Sequence, residues 1–200
     1  MVTRTIRNLI LGAVGLVLMA LLLALAILQL GLFPTNADAR PSSLEYKIAE
    51  SALDASMRRH APHLANPVAV TPDTLIEGAN LYTMNCSQCH GTLDFKPSPL
   101  EHSTYPPPPQ LLLRPLTSPE WHTFYTIRTG IRYTAMPAWE NALSDEQIWK
   151  ITGFLTRIEK LPPTVKDFCK NLYGISPDSY QREHAAGLSS RDEDLGQNQP

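Results

Sequence analysis

Cysteine is scarce in this chain, three residues in 200, and that scarcity excludes a small scaffold held by disulfides. An excess of basic charge is also missing. Of the 17 Lys and Arg, Arg4 and Arg7 lie at the start, so residues 34–200 carry 15 basic against 19 acidic side chains, a net charge of −4. That balance excludes a nucleic-acid partner, because displacing counterions from phosphates needs a dense cationic face. The sequence shows no convincing alternating strand pattern and no internal repeat. No nucleophile or acid/base constellation marks a site for a small-molecule substrate. Charge is absent altogether from residues 9–33. With that run set aside, about 165 residues remain, enough for one small core with linkers and too few for a multidomain enzyme.

The uncharged run 9–33 is long enough, as a helix rising about 1.5 Å per residue, to span a hydrocarbon core of about 30 Å with some tilt. Arg4 and Arg7 flank it on the N-terminal side. The positive-inside rule then leaves residues 1–8 in the cytoplasm and everything after Phe33 outside. The expectation is a single-pass anchor in a bacterial inner membrane with the remaining domain facing the periplasm. A cleaved signal peptide is the competing reading, since Ala37-Asp38-Ala39 has the small-x-small form of a cleavage site. Secretory apolar regions run to only about 7–15 residues, which favours the retained anchor. Either choice leaves the domain on the same side.

Residues 34–70 read as a linker and juxtamembrane helix: a polar exit from Pro34 to Pro41, a helix from Ser43 to Arg59 with Leu44, Ile48, Ala52 and Ala55 on one face, then a connector. Thr71-Pro72-Asp73 starts the next helix with a hydroxyl cap, a first-turn proline and an acid. Leu75, Ala79, Tyr82 and Cys86 follow at helical spacing. Seven prolines between residues 91 and 117, including the run Pro106 to Pro109, exclude regular helix or central strand and give a stiff wrapping loop. Ser118-Pro119-Glu120 announces a helix ending at Gly130, with Trp121, Tyr125 and Arg128 for packing and capping. After a loop, Ser144-Asp145-Glu146-Gln147 is a capping box. Ile148, Ile151, Leu155 and Ile158 then form the buried stripe of a helix that ends before Pro162-Pro163. Residues 164–200 are a C-terminal extension, of which 182–200 are expected to be a solvated, disordered tail.

Cys86-Ser87-Gln88-Cys89-His90 is C-x-x-C-H, the attachment sequence for a c-type haem. Two thiols one helical turn apart can each add to a vinyl group on one porphyrin edge, and His90 is then carried under the ring as the proximal iron ligand. By chance the motif would arise in roughly one such sequence per thousand. A redox C-x-x-C pair would be expected near a βαβ pattern, which is missing, and a zinc site needs further ligands at motif spacing.

The sixth iron ligand separates an electron carrier from a gas- or peroxide-binding site. Met1 and Met19 belong to the N-terminus and membrane run, Met84 is too close to the attachment site, and Met57 lies upstream on the first exported helix. Met136, 46 residues past His90 in a loop between two helices, is the best-placed distal ligand. His102 and His122 are the bis-His alternatives, and His60, His63 and His184 are expected to face solvent. Arg114, Arg132, Tyr133 and Trp139 are candidates to pair with the haem propionates, since burying carboxylates without donors is costly. Cys169 is left over. It reads as a partly buried structural cysteine, with crosslinking to another chain as the alternative.

From about Thr71 to Pro163 these features resemble the class I c-type cytochromes, small all-helical, single-haem electron carriers. The order is a helix with Gly78 and Tyr82, then Cys86-Ser87-Gln88-Cys89-His90-Gly91, a proline loop, Met136-Pro137, and a last helix with Trp149. The resemblance implies a tight crossing of the first helix at Gly78 against an aromatic on the last. It also implies a carbonyl from within Pro106 to Pro109 accepting the Nδ1 proton of His90, and membrane-anchored oxidase and quinoprotein dehydrogenase subunits as relatives. The fold expected is all-α, a cytochrome c domain at 71–163 around one covalent haem c, behind the anchor at 9–33. The function expected is one-electron transfer between membrane or periplasmic redox proteins in a respiratory-type chain. The alternatives are a haem subunit of an oxidoreductase complex, and a sensor or enzyme with an open sixth position.

Overall fold

The computed structural model describes residues 2–32 and 34–173. The expected disordered tail at 182–200, His184 and Phe33 lie outside the described residues. Among the described residues the chain is all helical, with seven α-helices, short 3-10 turns and no strand. It divides into two units, residues 1–39 and residues 40–200.

The first unit is one helix, α1 (Val2–Gln29). Its stretch Arg4–Gln29 is long and apolar enough to cross a membrane, with none of it buried inside the structure, which is consistent with membrane anchoring. The helix starts ahead of residue 9 because arginine is a good helix former, whatever its cost in hydrocarbon. It stops short of residue 33, and Gly31 just beyond adopts φ +65, a conformation that ends helices and suits glycine.

The second unit begins with α2 (Ser43–His60), capped by the Ser42 hydroxyl, which accepts the Glu45 amide at 3.2 Å. Its Leu44 and Ile48 stripe faces solvent, 69% and 61% exposed, and the residue that α2 buries is Met57. At about 100° per residue, Met57 lies on the side opposite Ile48. Beyond α2, His63 is exposed as expected but is not free in solvent: it lies flat over Trp121, ring centres 4.0 Å apart.

The core is built on α3 (Pro72–Asn85) and α6 (Asp145–Leu155), with α5 (Glu120–Thr129) packed on α6 and α7 (Pro163–Tyr173) packed on α3. Both central helices begin with capping boxes, Thr71 with Thr74 and Ser144 with Gln147. Buried between them are Leu75, Ala79 and Tyr82 from α3 and Ile148, Ile151 and Phe154 from α6. Each large apolar side chain so buried contributes about 1.5–3 kcal/mol.

Where the helices cross, a Cβ on Gly78 would lie 2.2 Å from the Lys150 carbonyl oxygen and 3.1 Å from Phe154 Cβ. The aromatic bordering this contact is therefore Phe154. Trp149, the aromatic singled out in the sequence, instead stacks on Phe124 of α5 with ring centres 4.0 Å apart and planes 7° from parallel. Five residues apart, the two side chains point about 140° from each other around α6.

Three further details differ from expectation. Pro119 sits at the N-cap of α5 without a side-chain cap, so the helix starts at Glu120. The last core helix ends at Leu155; Arg157 leaves helical geometry and a 3-10 turn, Ile158–Lys160, still carries Ile158 into the core. Part of the C-terminal extension is the helix α7, whose Val165 and Cys169, four residues apart on one stripe, are both buried.

Candidate functional site

Cys86 closes α3 and opens a single turn, α4 (Ser87–His90). Its carbonyl accepts the amides of Cys89 at 3.1 Å and His90 at 2.9 Å. Both thiols and the imidazole thus issue from one helical turn. Gly91 ends it at φ +90, and a Cβ there would meet the Lys96 carbonyl at 2.9 Å and Gln110 Oε1 at 3.0 Å. Only glycine satisfies both the dihedral and the space.

The proline loop returns over this turn, and His90 Nδ1 lies 2.8 Å from the Pro109 carbonyl oxygen. A carbonyl only accepts, so Nδ1 carries the proton and Nε2 presents its lone pair. Of the four candidate prolines, Pro109 makes the contact. Burial holds the imidazole below its ordinary 6.5, with the Pro109 carbonyl acting in the opposite sense. Burial, and secondarily the neighbouring Cys89, push the Cys86 thiol up to about 12. Cys86 and Cys89 are both free thiols.

Met136 is placed by its loop. Gly130 ends α5 at φ +65 so close to the returning chain that a Cβ would lie 2.5 Å from the Pro137 carbonyl carbon. The Ile131 amide donates to the Met136 carbonyl at 3.1 Å, and the Met136 amide to Thr134 Oγ1 at 3.1 Å. Met136 and Trp139 are both partly buried against the core. Arg132 and Tyr133 are exposed and contact each other, the guanidinium 4.7 Å from the ring centre; Arg114 is exposed as well. Among the other candidates, Met84 and His102 are exposed, Met57 is buried on α2, and the partly buried His122 sits edge-on to Trp121.

Three residues that sequence reasoning did not assign to the site hold its frame. Tyr82 Oη lies 3.0 Å from the His90 carbonyl and 2.7 Å from that of Gly91. The Ser98 hydroxyl donates to the Gln88 carbonyl. Gln110, 4% exposed, bonds to Ser98, Cys89 and Pro108. One signal was available: Gln110 is the lone polar residue between four prolines and three leucines. Nearby, burial raises the Asp94 carboxyl, but donation from Thr92 and the Lys96 ammonium 2.9 Å away outweigh it and hold the group below its ordinary range.

Two thiols a turn apart with an imidazole beside the second, its Nδ1 on the Pro109 carbonyl, fit the attachment of a c-type haem. Among the described residues no three His, Cys, Asp or Glu side chains converge as a metal cluster.

Residues 73–155 match the family Cytochrome C oxidase, cbb3-type, subunit III. Among solved structures, the chain is similar to one from the Kuenenia stuttgartiensis reducing HAO-like protein complex, at 18% identity and a TM-score of 0.38. The match covers 52% of this chain and 54% of that one, about half its length. No curated protein matches this chain.

Proposed function

We propose that residues 73–155, which match the cbb3-type subunit III family, form a class I c-type cytochrome domain with covalently bound haem c, and that the chain is a membrane-anchored one-electron carrier with a single His/Met-ligated haem. Bound here, the haem supplies reversible one-electron chemistry at its iron. Cys86 and Cys89 would hold it by thioethers, and His90 through Nε2 and Met136 through its sulfur would ligate the iron. The observation that carries the reading is the 2.8 Å contact of His90 Nδ1 with the Pro109 carbonyl. It fixes the tautomer, aims the ring, and raises the basicity of the ligating nitrogen. Trp139, Arg132 and Tyr133, on the Met136 loop, supply the donors for the propionates, with Arg132 and Tyr133 turning inward from their exposed positions. One haem follows from the one C-x-x-C-H in the sequence.

In this reading residues 71–163 are the cytochrome domain and residues 9–33 anchor it in a bacterial inner membrane. Residues 1–8 are cytoplasmic and the domain faces the periplasm, where membrane-bound or periplasmic redox proteins exchange electrons with it. The family description, an oxidase subunit, favours a second form of the same role, a haem subunit within an oxidoreductase complex. Extraction in mild detergent separates the two: a free carrier emerges as one chain, a subunit with its complex.

The first experiment is the optical spectrum of the oxidised protein in detergent, searched for the weak sulfur-to-iron charge-transfer band, then repeated on the reduced protein with carbon monoxide. The expected result is the band present and no change with carbon monoxide. Its absence with ready carbon monoxide binding overturns the carrier in favour of a sensor or enzyme with an open sixth position.

A further inference from the structure

A one-turn helix ends with carbonyls that have no helical partner, and α4 carries the attachment motif on such a turn. Each is met from outside it. The Gln88 carbonyl takes the Ser98 hydroxyl, that of Cys89 takes Gln110 Nε2 at 3.3 Å, and that of His90 takes the Leu111 amide at 3.2 Å and Tyr82 Oη. Tyr82 Oη also reaches the Gly91 carbonyl.

The segment Pro106 to Pro109 faces the opposite difficulty. Four consecutive prolines have no backbone N–H, so the stretch that presents the Pro109 carbonyl to His90 cannot anchor itself through its own amides. Gln110 does so by its side chain. Its Nε2 donates both protons, to the Pro108 carbonyl at 2.9 Å and to the Cys89 carbonyl, and its Oε1 accepts the Ser98 amide at 2.8 Å. One buried amide therefore grips the residue before Pro109, the residue before His90, and the far limb of the loop. The distance between Pro109 and His90 is set from the peptides on either side of it.

We propose that Gln110 is the positioning residue of the axial imidazole: it holds the Pro109 carbonyl on His90 Nδ1 and so sets how strongly Nε2 donates to iron. The proposal rests on the reading of His90 as proximal ligand. Weakening the Nδ1–H bond makes the imidazole a poorer donor, which favours the reduced iron and raises the reduction potential.

The experiment uses the full-length haem-loaded protein in detergent. Gln110→Met keeps length and burial while removing all three hydrogen bonds. Ser144→Ala removes the hydroxyl cap of α6 and touches no residue of α4 or of the proline loop. The readouts are the reduction potential and, by NMR of the reduced diamagnetic state, solvent exchange of the His90 Nδ1 proton. Loss of a buried hydrogen bond corresponds to about a tenfold change in such an equilibrium, so in Gln110→Met the His90 proton exchanges about tenfold faster and the potential rises. In Ser144→Ala both stay at wild-type values while the urea midpoint falls. If Gln110→Met lowers only the urea midpoint, Gln110 is structural and the proposal is overturned. If that variant does not assemble, the wild type decides: Gln110 side-chain amide protons protected together with the His90 proton support the proposal, and rapid exchange of the amide beside a protected His90 overturns it. Failure of the underlying reading is seen separately, because the wild-type protein then lacks a histidine-ligated spectrum before any variant is compared.

Discussion

Gly78 on α3 and Lys150 on α6 meet backbone to backbone, with the space a Cβ would fill at Gly78 lying 2.2 Å from the Lys150 carbonyl oxygen. Gly78→Ala gains helix propensity worth about 1 kcal/mol but forces the two central helices apart, an overpacking cost of about 3 kcal/mol. The net expectation is a loss of about 2 kcal/mol, read as a lower urea midpoint. Gly153 on α6 is the control: the nearest atoms to its Cβ position are Asn66 Nδ2 at 3.5 Å and Arg157 Nη1 at 3.9 Å. Gly153→Ala is expected to leave the midpoint unchanged or raise it.

Met136→Ala removes the proposed distal sulfur while the caps and core of α3 and α6 remain. The expected outcome is a folded, haem-bearing protein without the charge-transfer band, with high-spin iron, a lowered potential and carbon monoxide binding in the reduced state. Retention of the band and of the wild-type potential would mean that another side chain is the ligand.

Asp94 is held below its ordinary 3.8, so its contribution to stability is complete above that value and fades as the pH falls through it. The carboxylate is only 11% exposed, although Lys96 is 64% exposed, which makes the contribution mostly that of the Thr92 hydrogen bond. Asp94→Asn should cost about 1 kcal/mol at pH 7 and less at a pH below the ordinary 3.8. Urea midpoints of the two proteins at the two pH values test the convergence.

Cys169 is 2% exposed on α7 and burial pushes its thiol up to about 11. The thiolate is the reactive form, so the native haem-loaded protein at pH 8 should take up no maleimide at Cys169 and form no crosslinked dimer. The same protein in concentrated denaturant should label once per chain. Labelling in the native state would show that α7 opens readily.

What was legible in the sequence was local. A cap reaches three residues ahead, so Thr71 and Ser144 announced α3 and α6, and the attachment motif is complete within five residues. What escaped depends on partners far apart in the chain. His90 and Pro109 are 19 residues apart and Gln110 lies 21 from Cys89, and nothing within the proline run distinguishes the carbonyl that will face the imidazole. The choice between Trp149 and Phe154 at the Gly78 crossing depends on the angular setting of α6, which Phe124 fixes by stacking on Trp149. α7 carries no such local signal, because its stripe, Val165 and Cys169, is short and has meaning only against α3.

The carbonyl caps of α4 also carry a consequence for the order of assembly. Tyr82 precedes the motif, but Ser98, Gln110 and Leu111 follow it by as many as 25 residues counted from Cys86. A growing chain that reaches only as far as His90 has none of those later donors to close the turn, so its two thiols lie on uncapped backbone. Closure waits for the leucines beyond the prolines to arrive and bury themselves. The layout of the chain thus makes the two thiols complete in sequence before the groups that enclose them.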